Sequence, residues 1–206
     1  MGEIKASDSY KTVAKSSTGI YKELGSKFMS FAYPVSSQEE IKTILSNIKR
    51  DYFDARHHCY AYRLGLGGDL WRANDDGEPS STAGKPILGQ LLSHDLSDTL
   101  IVVVRYFGGT KLGVPGLIRA YRGAAADAIN NSEVVEKIAV KKLVFRFSYT
   151  SIETVMKLIK SFGADVKRQE IDSNCLMMIN IRVSEYTLFL DSLREVDGLV
   201  IENNTQ

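Results

Sequence analysis

Two polar segments in the first half of the chain concentrate the residues able to do chemistry. The richer is Arg105-Tyr-Phe-Gly-Gly-Thr-Lys-Leu-Gly-Val-Pro-Gly116. Gly108, Gly109, Gly113 and Gly116 open backbone shapes that other residues rarely adopt. With Thr110 among them, such a loop can turn its N–H groups inward as a nest for an anion. A helical pattern follows directly, and its start adds partial positive charge. Lys111 supplies a full charge, Arg105, Arg119 and Arg122 flank it, and no Asp or Glu occurs from 99 to 126. A phosphate group suits this chemistry. The Gly-Lys-Ser/Thr of a Walker loop is absent. The plainer alternative is a tight structural turn carrying solvated cations.

The second segment is Asn74-Asp-Asp-Gly-Glu-Pro-Ser-Ser-Thr-Ala-Gly-Lys-Pro86. Asp75, Asp76 and Glu78 could hold Mg²⁺ through oxygen ligands, receive a basic partner, or pair internally with Arg105 or Lys111. Thr82 or Ser81 is placed to cap the next helix. A third stretch, His57-His-Cys-Tyr-Ala-Tyr-Arg63, reads as a strand with His57, Cys59 and Ala61 on one side and His58, Tyr60 and Tyr62 on the other. Zinc needs three or four ligands. The remaining histidine is His94 and the other cysteine, Cys175, is remote, so buried structural roles are the better reading and no metal site is expected beyond the Mg²⁺ option. Tyr60, Tyr62 and Arg63 could stack on bases or belong to the core.

The elements that must position these segments follow from periodicity. Residues 10–35 read as strands, ending near Pro34. Ser37 and Glu40 form a capping box ahead of an amphipathic helix over 37–52, marked by Ile41, Ile44, Leu45 and Ile48. A strand over 57–66 leads into 67–86, which reads as mostly loop, and a helix over 83–93. The apolar run 100–104 suits a central buried strand. An alanine-rich helix spans 114–130, and 131–138 reads as a link. The remainder is β-α-β-β-α-β, the ferredoxin-like split arrangement. Two domains result, 1–133 and 138–206, in an α+β chain.

Composition narrows the function classes. Hydrophobic residues make up 44% and charged residues 25% of 206, and net charge is +1. No global field draws the chain to nucleic acid or membrane, so such binding needs a local patch. No apolar run approaches the roughly 18 residues of a membrane helix, and the polar N-terminus lacks the apolar stretch of a signal peptide. The two cysteines are expected as reduced thiols, and the cytoplasm is the expected location. The sequence sets no oligomeric state.

The segments HHCYAYR, NDDGEPSSTAGKP and IVVVRYFGGTKLGVPGLIRAY, in this order over about residues 57–121, resemble the hallmark segments of the IMPACT/YigZ family. The wider resemblance covers essentially the whole chain and points to the bacterial branch. It implies an N-terminal α/β domain similar to the second domain of a small-subunit ribosomal protein. It also implies a C-terminal domain similar to the last domain of elongation factor G, and a link to translation, since eukaryotic members restrain a stress-responsive kinase pathway by competing for its activator. Two positions depart from the family pattern. Ser81 stands where Pro-Ser-Gly-Thr-Ala-Gly is usual, and Pro115 precedes Gly116 where Gly-Gly is usual.

The leading expectation is a non-enzymatic, translation-associated binding protein. It would contact RNA, the ribosome or a translation factor through loops 74–86 and 105–116. Arg105, Gly108, Gly109, Thr110, Lys111, Gly113, Arg119 and Arg122 form the anion side. Asp75, Asp76 and Glu78 form the acidic side, with His57, Arg63 and Thr82 as possible additions. One alternative is a phosphate-handling hydrolase or transferase with Mg²⁺ on the acidic loop. The other is a protein–protein adaptor without nucleic acid.

Overall fold

The N-terminal strand patterns become β1 (Ser9–Val13), β2 (Ser17–Glu23) and β3 (Ser26–Pro34) in the computed structural model, which describes residues 8–202. The segment 1–7 lies outside the described residues. Helix α1 (Gln38–Asp51) starts where the Ser37 hydroxyl accepts from the Glu40 N–H at 3.2 Å. The Glu40 carboxylate reaches back one residue further than a standard box, to the Ser36 N–H at 2.8 Å. Glu39 and Glu40 at its start, with Lys49 and Arg50 at its end, complement the helix dipole.

Next come β4 (His57–Leu64), β5 (Leu70–Asn74), α2 (Gly84–Ser93), β6 (Thr99–Tyr106) and α3 (Gly113–Asn130). The sheet order is β2-β3-β6-β4-β5, with every neighbouring pair antiparallel. β6 sits at the centre. Its Leu100, Val102 and Val104 pack towards α1 with Phe31, Ile41 and Ile48. Its Ile101 and Val103 pack towards α2 and α3 with Phe28, Ile87 and Tyr121. Helices cover both faces, which is why this strand is an unbroken apolar run rather than an alternating one. Each such fully buried side chain contributes about 1.5–3 kcal/mol.

The alanines of α3 let it lie against the sheet. Ser30 and Ser17 in the strands donate to the Ala124 and Ala128 carbonyls of the helix at 2.6 and 2.7 Å. A Cβ on Gly19 would stand 2.4 Å from the Ala128 nitrogen, so glycine sets this approach.

The stretch 67–86 is mostly loop, as expected, with β5 inside it. One expectation needs correction: the link 131–138 contains β7 (Val134–Ile138), which pairs with β1. Leu70, Trp71 and Arg72 of β5 are exposed, as is most of β7. Neither strand buries a face deeply enough to leave an alternating signature.

A second unit contains β8 (Val140–Ser148), α4 (Ile152–Ser161), β9 (Asp165–Glu170), β10 (Asn174–Arg182), α5 (Tyr186–Arg194) and β11 (Val200–Glu202). The first unit spans residues 10–137. The second spans the described residues from 138 onward with residues 8–9. Its sheet order, β11-β8-β10-β9, is that of a ferredoxin-like βαββαβ domain. Phe145, Phe147, Met177, Ile179, Phe189 and Leu193 form its core. The fold is α+β in two domains. Among the described residues, no helix is long and apolar enough to cross a membrane. Cys59 and Cys175 are both free and buried.

Candidate functional site

The acidic loop is organised by its own chain. The Asp75 carboxylate accepts from the backbone N–H groups of Ser81, Ala83 and Gly84 at 2.8, 2.9 and 2.8 Å. It therefore caps α2 from nine residues upstream of Gly84. This corrects the expectation for Ser81 and Thr82: α2 has no side-chain cap at its own N-terminal boundary, and the Thr82 hydroxyl donates to the Pro79 carbonyl at 2.6 Å. Burial pushes the Asp75 carboxyl up, but the Ser81, Gly84 and Ala83 amides, with Lys85 nearby, outweigh it and hold the group below the usual carboxylate range.

A carboxyl depressed in the fold stabilises fully above its unfolded value near about 3.9 and loses that contribution as pH falls through the folded value. Asp75→Ala is expected to cost about 1–2 kcal/mol at neutral pH. Urea denaturation at neutral and acidic pH should show its deficit against the wild type shrinking below about pH 4. A deficit constant with pH would remove the charge from the explanation.

Asp76, at φ 41°, accepts from the His58 N–H at 2.7 Å and pairs with Lys49 at 3.2 Å. Its carbonyl lies 2.9 Å from His57 Nδ1. Ser81 takes φ 65°, a left-handed shape that favours glycine. Since only the Ser81 backbone serves Asp75, Ser81→Gly keeps that bond. It is expected to raise stability by up to about 1 kcal/mol, less the added freedom of glycine in the unfolded chain. Thermal unfolding checks the sign.

Glu78 is the deepest of the three acids. Its Oε1 accepts from Arg105 Nη1 and from the Tyr121 hydroxyl, both at 2.7 Å. The Cys59 thiol extends the network, 3.3 Å from the Tyr121 oxygen and 3.0 Å from the Asp75 carbonyl. Burial pushes the Cys59 thiol up strongly, and the surrounding acids Glu78, Asp76 and Asp75 add to the rise beyond what a Tyr121 hydrogen bond offsets. Cys59 is thus held as an unreactive thiol. The Arg105 guanidinium carbon lies 5.5 Å from the Phe28 ring centre and 5.6 Å from that of Phe107.

Above this buried network opens a cavity of about 890 Å³. Asp54, His57, Glu78 and Arg105 line it, with Arg56 and Lys111 among its cations and Phe107, Val114 and Leu117 among its apolar groups. Gly108 comes against Gly25 of the β2–β3 turn, and its N–H donates to the Ser26 hydroxyl at 3.2 Å. Gly109 and Gly113 take φ 89° and 68°. Thr110 and Lys111 are exposed at the tip. Pro115 is the third residue of α3, within the first turn, where its missing N–H needs no partner.

The other expected residues lie apart. Arg119 pairs with Glu23 at 2.8 Å, which raises the guanidinium further through that hydrogen bond. Arg122 is exposed and lines a smaller cavity with Ser81, Lys85 and Gln90. Arg63 is buried at the far end of β4, donating to the Leu96 and Gly67 carbonyls at 2.9 and 2.8 Å. Among the described residues, no three His, Cys, Asp or Glu group to hold a metal ion.

Sequence reasoning missed Tyr121, Arg56 and Phe107. Tyr121 falls on the alanine face of α3, and a hydroxyl carried into a core needs a partner. Arg56 adjoins one motif segment and Phe107 lies within another, but neither carried a signal of its own.

Taken together, these features define a two-domain protein whose N-terminal unit builds its site from three motif segments. Residues 24–129 match the family described as Impact N-terminal domain. The chain is 39% identical to the IMPACT family member YvyE of Bacillus subtilis, over 83% of this chain and 79% of that protein. It is 27% identical to the IMPACT family member YigZ of Escherichia coli, over 82% and 84%. The chain belongs to the IMPACT family. A solved structure described as a hypothetical protein shares the fold, with TM-score 0.68 and 24% identity over 96% of this chain and 98% of that one.

Proposed function

We propose that this protein is a cytoplasmic, non-enzymatic regulator associated with translation, which contacts RNA, the ribosome or a translation factor through loops 74–86 and 105–116. One observation supports this reading above the others: the acids of the site are consumed internally while several cations are left outward. Asp75 serves backbone amides, Asp76 serves Lys49 and His58, and Glu78 serves Arg105 and Tyr121. Lys111 and Arg122 are exposed and form no ion pair among the described residues. A locally cationic surface on a chain of net charge +1 favours phosphates. The link to translation comes from the family resemblance. The engaged carboxylates also weigh against a Mg²⁺-dependent hydrolase or transferase, which needs free oxygen ligands.

The test is binding of single-stranded RNA and of ribosomes across roughly 50–200 mM salt, for the wild type and a folded Lys111→Ala/Arg122→Ala variant. Wild-type affinity should fall steeply with salt, and the variant's log–log slope should be shallower by about 1.4. No wild-type binding to either would overturn the nucleic-acid reading. A protein factor captured from nuclease-treated extract would then favour the adaptor.

A further inference from the structure

We infer that the cavity above Arg105 seats one unstacked nucleotide, with its base on Phe107 and its phosphate between Lys111 and Arg56. The inference rests on the cationic reading of these loops for the phosphate and adds the base. A volume of about 890 Å³ lies in the range that receives small organic ligands, far more than a lone phosphate fills. The lining combines cations, apolar groups and two carboxylates, of which Asp54 accepts from the Tyr106 hydroxyl and Glu78 from Arg105 and Tyr121. Arg56 and Lys111 form no ion pair among the described residues, which leaves their charge open to an outside anion. Phe107 is 55% exposed and Val114 51%, apolar surface that the folding of this unit does not use.

Phe107 is also braced. The Arg105 guanidinium sits within cation–π reach of its ring, and Arg105 is itself more than nine-tenths buried and fixed by Glu78. An exposed aromatic held in place is a stacking platform, suited to any base because every base has a flat π face. Arg105 Nε is buried with no hydrogen-bond partner among the described residues. An exposed aromatic with two cations lining the same cavity suits a base joined to a phosphate. That unit can come from a free mononucleotide or from single-stranded RNA.

The experiment uses the full chain, with labelled hexa-adenylate, adenosine monophosphate and inorganic phosphate as probes. Phe107→Ala is compared with Phe107→Tyr, both checked by circular dichroism. Hexa-adenylate binding should weaken about tenfold in Phe107→Ala and return in Phe107→Tyr. Adenosine monophosphate should compete where equimolar phosphate does not. Mononucleotide binding without hexa-adenylate binding would keep the cavity assignment and remove the RNA reading. Hexa-adenylate bound equally by wild type and Phe107→Ala would keep the RNA reading and overturn the cavity assignment. Phosphate competing as well as the nucleotide would overturn it too, and binding of no probe would remove both.

Discussion

Glu78→Gln is expected to cost the N-terminal unit about 3–5 kcal/mol of folding stability. The Glu78 side chain is 4% exposed and that of Arg105 is 9%. Glutamine preserves the shape and can still accept from Tyr121, so packing changes little. What changes is that a buried guanidinium loses its only ion pair among the described residues. Removing both charges should cost less than the sum of the two single changes, because neither partner is then left uncompensated. A double-mutant cycle of Glu78→Gln and Arg105→Gln, followed by urea unfolding, measures this. A single-variant cost below about 1 kcal/mol would mean that water screens the pair as it does at a surface.

Gly108→Ala is expected to be comparably severe, about 3 kcal/mol or more. Its new Cβ would stand 1.9 Å from the Gly25 carbonyl carbon and 2.1 Å from the Ser26 nitrogen. Both are backbone atoms of a tight turn, with Gly25 already at φ 77°, so no rotamer change relieves the clash. The neighbouring Gly109→Ala is the control. Nothing lies within 4 Å of its Cβ, and it pays only for a positive φ, about 1–2 kcal/mol. Thermal unfolding of the pair separates steric exclusion from backbone preference. Equal losses would assign Gly108 to conformation alone.

These residues also show how far the sequence could be read. The run 100–104 identified a central strand, the alanine spacing of 114–130 identified a close-packed helix, and the β-α-β-β-α-β order identified the C-terminal domain. In each case a local pattern reports burial directly. β5 and β7 escaped because pairing by backbone alone leaves no side-chain signature. The cap of α2 escaped because its acceptor, Asp75, folds back from a loop and no local motif encodes that return. Within the site, sequence placed the acids and cations in one region. It left open whether Glu78 meets Arg105 or Lys111, since that choice depends on the register of β6 against β3 and β4. Arg105 lies opposite Phe28 on one side and His57 on the other, and this crossing selects it. Phe107 and Arg56 became meaningful only once three separate segments enclosed a common space.

The central position of β6 has a bearing on how the protein is born. The hairpins β2–β3 and β4–β5 join neighbours in sequence and can close early. β6 arrives later and must insert between them, pairing with residues as distant as Lys27. Contacts of such long sequence separation form slowly. Arg105 is on that strand, Phe107 and Lys111 follow it, and Tyr121 comes later still. A nascent chain therefore lacks the buried Glu78–Arg105–Tyr121 network and the cavity beside it until the sheet is finished.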